Sequence, residues 1–524
     1  MGIYLNPGNG NFRMACGSEI YIDKTEMIDK TNRMINTQQR FICVSRPRRF
    51  GKSMAAYMLA AYYGKDCDSS ELFAPYQIAQ NEDYRKYLNQ YNVIMLNIQD
   101  FLSVTETVDE MILFLQKRVI RELRRAYPGM IDEDERFLSF ALNDVYSETQ
   151  DTFIFIIDEW DCILRDKTYT AEDQKKYLDF IRNLLKDKAY VALAYMTGIL
   201  PIKKYGTHSA LNMFAEYSMT APRMFAEYIG FTEKEVKELC DTYQVDFDTM
   251  KSWYDGYSFP NGLHIYNPKS VVDSLMFREF SSYWTQTETY EALKIYLDLN
   301  YDGLKDAIVE MLAGERITID TETFQNDMTT FKSRDDVLTL LVHLGYLAYE
   351  NGSQQVFIPN VEIRAEFVRA IKSCKWKDVI QALEKSDRLL EATWQQDADT
   401  VATLLDEAHS ENTSILTYND ENSLSCVIAL AYYNARKEYE QIREFPTGKG
   451  FADIVYLPKK YSEKPALVVE LKYDKTAEGA IAQIKEKRYP EKLKEYHGNL
   501  LLVGINYEKE SKKHTCVIEK WERK

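Results

Sequence analysis

Apolar residues fall in short blocks through the first half of the chain, and longer amphipathic stretches separate them. Phe41–Ser45 (FICVS), Val93–Ile98 (VIMLNI), Phe153–Ile157 (FIFII) and Val191–Thr197 (VALAYMT) are short, largely apolar runs, the pattern of strands buried on both faces of a parallel sheet. Ser53–Tyr63 and Val108–Ala126 read as helices between them. Strands alternating with helices predict right-handed crossovers and a parallel α/β sheet. From about Val271 the pattern becomes mainly helical. Near the end of that stretch, Asp335–Leu344 predicts a helix, and Gly345 follows it. Tyr346–Glu350 and Gln355–Ile358, joined through Asn351-Gly352, then predict a hairpin. From about Ala392 a helical segment leads into a second α/β unit. It has a helix over Asp420–Lys437, strands at Phe451–Tyr456 and Ala466–Lys472, a helix over Ala477–Arg488 and a buried strand at Leu500–Ile505.

Length and composition narrow the class. The chain has 524 residues, enough for several domains, and 45% hydrophobic with 28% charged residues is ordinary for a globular protein. No apolar run approaches the roughly 20 residues needed to span a bilayer, and the first twenty residues hold no continuous apolar stretch of the secretory kind. The eight cysteines are scattered without a C-x-x-C pair, which argues against a zinc ribbon, a thioredoxin-like site or a disulfide framework. A cytoplasmic protein is therefore expected. The net charge of −16 argues against a protein that coats nucleic acid non-specifically, but it leaves room for a local site. The pentapeptide MFAEY occurs at Met213–Tyr217 and again at Met224–Tyr228, too few copies for a repeat architecture. The helix and hairpin after Asp335 resemble a winged-helix module.

Two segments carry chemistry in the first half. Ser45-Arg46-Pro47-Arg48-Arg49-Phe50-Gly51-Lys52-Ser53 lies between a strand and a helix. In a Walker A loop, backbone amides and a helix amino terminus cradle phosphates, a Lys reaches the β- and γ-phosphates, and a Ser or Thr hydroxyl binds Mg²⁺. Lys52 and Ser53 supply that pair, while Arg46 stands where the first glycine of the motif belongs. The second segment, Phe153–Ile157 followed by Asp158-Glu159, has the form of a Walker B strand. Asp158 is placed to order the Mg²⁺ shell and Glu159 to polarise the attacking water. A basic turn and a plain helix cap are the bland alternatives. Thr197, at the end of its strand, suits a polar sensor of the γ-phosphate and a simple strand-end residue equally. Arg48 and Arg49 suit phosphates, another subunit's nucleotide or solvent, which leaves a homo-oligomer open.

These segments resemble the bacterial AAA-ATPase-like family, as do Tyr21-Ile22-Asp23-Lys24-Thr25, Ile157–Asp161 and Thr197–Leu200. Gly230-Phe231-Thr232-Glu233, Trp253-Tyr254-Asp255-Gly256-Tyr257 and Ile265-Tyr266-Asn267-Pro268 extend the resemblance over about the first 285 residues. The family's own loop reads R-P-R-R-F-G-K-S, so Arg46 belongs to the pattern. The resemblance implies a P-loop ATPase fold. ATP and Mg²⁺ are the expected cofactors, with Arg48, Arg49, Phe50, Gly51, Lys52, Ser53, Asp158 and Thr197 as the candidate nucleotide-binding residues. For the W-Y-D-G-Y stretch, with a glycine turn and packing aromatics, a structural role is expected.

The last hundred residues carry a different constellation. Asp453 lies on one strand, and Glu470 and Lys472 on the next. Side chains alternate along a strand, so Glu470 and Lys472 share a face. Charges on an otherwise apolar strand are costly unless they meet solvent, a metal or a partner. Two carboxylates can hold a divalent cation through oxygen ligands, and an amphipathic hairpin with a surface ion pair is the bland alternative. The spacing D-x₁₆-E-x-K resembles the PD-(D/E)XK nuclease superfamily, with Ala452 where Pro is usual. That resemblance implies a restriction-endonuclease-like α/β fold over roughly Thr413–Tyr507. It makes Asp453, Glu470, Lys472 and Gln483 catalytic, with Glu421 adding a metal carboxylate to those of Asp453 and Glu470. Gln483 and Tyr489 match the helix motif after the catalytic strand. Lys485, Lys487 and Arg488 suit a phosphate backbone or a solvated helix face.

The expected organisation is an AAA-ATPase-like domain over 1–285, a helical region with a winged-helix resemblance over 286–395, and a nuclease-like domain over 396–524. The leading expectation is an ATPase coupled to Mg²⁺-dependent hydrolysis of nucleic acid. The alternative is an ATP-dependent switch carrying an inactive nuclease fold. A winged-helix regulator ranks last, because Asp335–Ile358 shows no basic recognition helix.

Overall fold

The computed structural model describes residues 2–202, 211–284, 290–299, 301–325, 331–374, 376–412, 421–446, 451–459, 462–487 and 498–521. The chain forms two compact units. One comprises Met1–Glu288 with Thr318–Ile363, the other Thr289–Ile317 with Arg364–Lys524.

The first unit is built on a five-stranded parallel sheet. Its elements run β1 (Phe41–Ser45), α1 (Lys52–Tyr63), β2 (Asn92–Asn97), α2 (Val108–Ala126), β3 (Phe153–Asp158), α3 (Ala171–Leu185), β4 (Val191–Gly198) and β5 (Ala215–Tyr217). The strand order is β2-β3-β4-β1-β5, and every pairing is parallel. β1, β3 and β4 are buried along their whole length, as their unbroken apolar runs predict. Local chemistry sets the helix starts. Thr107 caps α2 by accepting from the Glu110 amide, and Thr170 with Asp173 forms a reciprocal capping box at α3. Ile98, expected in a strand, instead opens a short helix, because the Asn97 side chain caps it at the Gln99 amide.

The two MFAEY copies adopt different structures. The first supplies β5, whereas the second runs through a 3₁₀ turn at Arg223–Phe225. Beyond them, Phe231–Thr232, Leu263–Tyr266 and Tyr257–Phe259 form a small antiparallel sheet. Gly256, at φ +120°, sits against Pro359, where a Cβ would come within 2.4 Å of the carbonyl oxygen. Asp255 accepts from His264 Nδ1 at 2.9 Å, and its carbonyl accepts from Asn360 Nδ2 at 2.8 Å. The expected helix and hairpin are present as α4 (Arg334–Leu344) and the antiparallel pair Ala348–Glu350 with Gln355–Phe357. They join the first unit at Gly345, whose carbonyl accepts from Tyr257 Oη at 2.6 Å.

The second unit carries a mixed sheet. After α5 (Glu421–Ala431) come β6 (Tyr439–Pro446), β7 (Phe451–Pro458), β8 (Ala466–Tyr473), α6 (Ala477–Glu486), β9 (Leu500–Glu508) and β10 (Lys513–Trp521), with strand order β6-β7-β8-β9-β10. Only β8 and β9 pair in parallel, and α6 is the crossover that joins them. Val468, Ile481, Ile484 and Leu502 meet in the core beneath that helix. Gly504 lets α6 approach closely, since a Cβ there would lie 2.4 Å from the Ala477 carbonyl oxygen.

Candidate nucleotide and nuclease sites

The loop after β1 turns through two left-handed residues, Arg49 at φ +67° and Gly51 at φ +94°, and Gly51 caps α1. That geometry points the first amides of α1 toward the loop interior, an arrangement suited to an anion. Lys52 is almost fully buried and donates to the Pro47 carbonyl at 3.0 Å. Burial lowers its pKa, against the pull of Glu159, Asp158 and Asp161. Ser53 Oγ donates to Asp158 Oδ2 at 2.6 Å. Burial raises the Asp158 carboxyl above its ordinary range, and the Ser53 bond opposes this. The hydroxyl and the carboxylate expected to share Mg²⁺ are therefore adjacent at the carboxyl end of the sheet.

Glu159 follows at φ +50° and is ion-paired with Arg165. Arg165 also lies 3.1 Å from Asp161 Oδ2, which accepts the Ile199 and Leu200 amides at 3.0 and 2.7 Å. Thr197 is fully buried, and its hydroxyl donates to the Val44 carbonyl at 3.1 Å. Its proton is committed to the sheet. Arg48 and Arg49 are exposed, and the Arg48 carbonyl accepts from Trp284 Nε1 at 3.0 Å. Phe50 is buried and stands edge-on to Tyr257 at 5.4 Å.

A cavity of about 560 Å³ opens beside this loop. Arg48–Ala55 and Glu159 line it, together with Phe12, Tyr21, Tyr228, Phe231 and Pro268. Lys24 reaches Glu235, 2.6 Å away, and the Glu227 carbonyl at 2.7 Å. An apolar cleft joined to a cationic loop suits a ligand with a flat ring at one end and phosphates at the other.

In the second unit, Ile454 pairs with Val469, so the next step of the antiparallel ladder sets Asp453 opposite Glu470. Asp453 Oδ2 accepts from the Leu471 amide at 2.7 Å. Glu470 is 1% exposed. Its Oε1 accepts from Lys472 Nζ at 3.0 Å and from Gln483 Nε2 on α6. Its Oε2 is buried without a hydrogen-bond partner among the described residues. Burial, then the Asp453 charge, pushes the Glu470 carboxyl up to about 7. A buried carboxylate close enough to Asp453 to feel its charge supplies oxygen ligands of the kind a divalent ion takes, so the residues fit such an ion. Glu421 begins α5, with its side chain outside the described residues, and Arg488 and Tyr489 also lie outside them. Lys485 pairs with Glu519.

Comparison with known proteins decides the domain types. Residues 10–207 match the family described as Predicted AAA-ATPase, and residues 419–521 match the PD-(D/E)XK nuclease superfamily.

The chain joins an AAA-ATPase-like domain to a PD-(D/E)XK nuclease-superfamily domain.

One curated relative, an uncharacterized protein in the vnfD 5′ region of Azotobacter chroococcum mcd 1, is 24% identical over 280 residues. That match covers 51% of this chain and 51% of the relative, so it spans about half of the relative's length. Among solved structures, the Walker-type ATPase PABY2304 of Pyrococcus abyssi is 13% identical, with 66% of this chain and 94% of that one covered and a TM-score of 0.34. The ORC2 protein of Aeropyrum pernix is 10% identical, with 68% and 97% covered and a TM-score of 0.29. Among the described residues, no helix is long and apolar enough to cross a membrane.

The first unit brings together residues whose motifs, in the sequence, carry only a resemblance. Tyr21, Ile22 and Lys24, then Gly230 and Phe231, then Pro268 all line the cavity beside Lys52. Their signal in the sequence was three short motifs far apart, with nothing to say that they converge. In the nuclease-superfamily domain, Asp453, Glu470, Lys472 and Gln483 form one connected group. β6 and β10, the two edge strands, were not expected, because neither YEQIREFP nor KHTCVIEKW holds a long apolar run or a two-residue period.

Proposed function

We propose that the protein binds ATP with Mg²⁺ in the cavity beside Lys52 and hydrolyses phosphodiester bonds of nucleic acid at Asp453, Glu470 and Lys472. The observation that carries the nuclease half is Glu470 Oε2, a buried carboxylate oxygen near Asp453 without a hydrogen-bond partner among the described residues. Asp453 and Glu470 would hold a divalent ion, which supplies a more acidic bound water and charge stabilisation at phosphorus. Lys472, anchored on Glu470 and the Leu471 carbonyl, places a positive charge where negative charge develops on the phosphate. Gln483 fixes the Glu470 rotamer from α6. Purified protein is expected to cut plasmid DNA or single-stranded RNA with Mg²⁺ or Mn²⁺, and Lys472→Ala to stay folded without cutting. Equal behaviour of the two proteins removes the nuclease assignment.

For the ATPase half, Lys52, Ser53 and Asp158 support phosphate and Mg²⁺ binding, and the apolar wall supports a base. A second reading follows from one contact. Glu159, the expected water-polarising residue, is held by Arg165, which favours a nucleotide-dependent switch over rapid turnover. Measuring ATP affinity and turnover for wild type and Lys52→Ala separates the two. Tight Lys52-dependent binding without turnover identifies the switch.

A further inference from the structure

Arg46 occupies the position at which a Walker loop begins, yet its side chain does not join the phosphate side of the cavity. It is 0% exposed. Its Nη1 donates to the Ser45 and Tyr217 carbonyls, both at 2.9 Å, and its Nη2 to the Phe225 carbonyl at 3.4 Å. The guanidinium lies over the Phe259 ring at 5.2 Å. Among the described residues no carboxylate pairs with it. Burial alone pushes its pKa down to about 10, so it stays charged at neutral pH. A buried charge without a counter-ion is retained only where its hydrogen bonds repay the lost solvation.

Those bonds tie together two chain segments that each lead to residues lining one cavity. Arg46 begins the loop that runs through Pro47 to Gly51, while Phe225 leads directly to Tyr228, Gly230 and Phe231, which line the same cavity. Phe50 closes the same link from the loop side, since a Cβ on Gly230 would lie 3.3 Å from its ring. The planar fork of an arginine spans carbonyls on separate segments in a way that one lysine ammonium does not.

We propose that Arg46 is a positioning residue that holds the phosphate loop in register with the base-side wall, so that triphosphate and base are gripped together. This rests on the nucleotide reading above. It predicts a loss specific to ligands that touch both walls. The test is calorimetric titration of the full chain with Mg²⁺-ATP and, separately, with Mg²⁺-tripolyphosphate, which has no base. Wild type is expected to bind ATP the more tightly. In Arg46→Met and Arg46→Lys, ATP affinity should fall about tenfold, the loss of one or two charge-assisted bonds, while tripolyphosphate affinity changes little. A wild-type ratio of the two affinities in the variants overturns the proposal, whether both affinities hold or both fall together. If Arg46→Met does not fold, Arg46→Lys decides alone, because it keeps the charge and lacks the fork. Wild type that binds tripolyphosphate but gains nothing from the base also overturns it while leaving the phosphate site standing. Wild type that binds neither ligand overturns the nucleotide reading itself.

Discussion

Ser53 Oγ and Asp158 Oδ2 meet at 2.6 Å, although 105 residues separate them in the chain. The hydroxyl comes from the first turn of α1 and the carboxylate from the end of β3, two strands away from β1 in the sheet. Asp158 is 2% exposed and its carboxyl is raised by burial, so the Ser53 proton is one of few groups that stabilise its charge.

Replacing Ser53 by Ala should therefore register twice. A buried carboxylate that loses a donor costs about 1–3 kcal/mol, read as a lower unfolding midpoint in chemical denaturation. Nucleotide affinity should also lose most of its dependence on Mg²⁺. A variant with wild-type stability and full Mg²⁺ dependence would separate this pair from the nucleotide site.

Glu159→Gln preserves shape but removes both the ion pair with Arg165 and any capacity to accept a proton from water. ATP affinity should hold while turnover falls about 10²-fold, measured by phosphate release under single-turnover conditions. Unchanged turnover in a hydrolysing wild type would show that another residue activates water.

The Glu470 carboxyl, at about 7 in the folded chain against an ordinary 4.5, gives a pH signature of definite sign. Between those values the folded state keeps a proton that the unfolded chain has released, so this group makes stability fall as pH rises from about 4.5 to 7. Glu470→Gln removes that loss. Its melting temperature should exceed that of wild type at pH 8 and match it at pH 4. A divalent ion must displace the same proton, so Mn²⁺ affinity should climb with pH up to about 7 and then level off. A flat profile through that range would place the bound ion elsewhere.

Gly230 sits at φ +109°, and a Cβ there would lie 2.4 Å from Ile265 Cγ2. Ala at this position combines backbone strain with overlap, at a combined cost of about 1–4 kcal/mol. Calorimetry should show a lower melting temperature, and ATP affinity should weaken as Phe50 and Phe231 shift. A melting temperature equal to wild type would mean that the wall yields without strain.

The strands and helices that frame both sites were legible in the sequence where burial was complete. Phe41–Ser45 and Phe153–Ile157 are apolar without interruption, so a strand was the only economical reading, and Val108–Ala126 matched its helix throughout. Strands with one wet face were not legible. β10 (KHTCVIEKW) is half-exposed or exposed at every position but His514, so no buried apolar run separates it from a loop. The repeated MFAEY makes the same point, since one copy is an edge strand and the other a turn. Neighbours, not the five residues, choose between them.

The sequence by itself determined which residue types stand together in contiguous motifs: Gly51-Lys52-Ser53, Asp158-Glu159, and Glu470 with Lys472. These work because backbone geometry relates near neighbours directly, through a helix start or the two-residue period of a strand. Tertiary structure alone decided which distant segments share a space. It brought Tyr21, Gly230 and Pro268 to the cavity of Lys52, committed the Thr197 hydroxyl to Val44, tied Arg46 to the Tyr217 carbonyl, and left one oxygen of Glu470 buried without a partner among the described residues. Each of those outcomes depends on packing between elements far apart in the chain, which no local pattern of polar and apolar residues encodes.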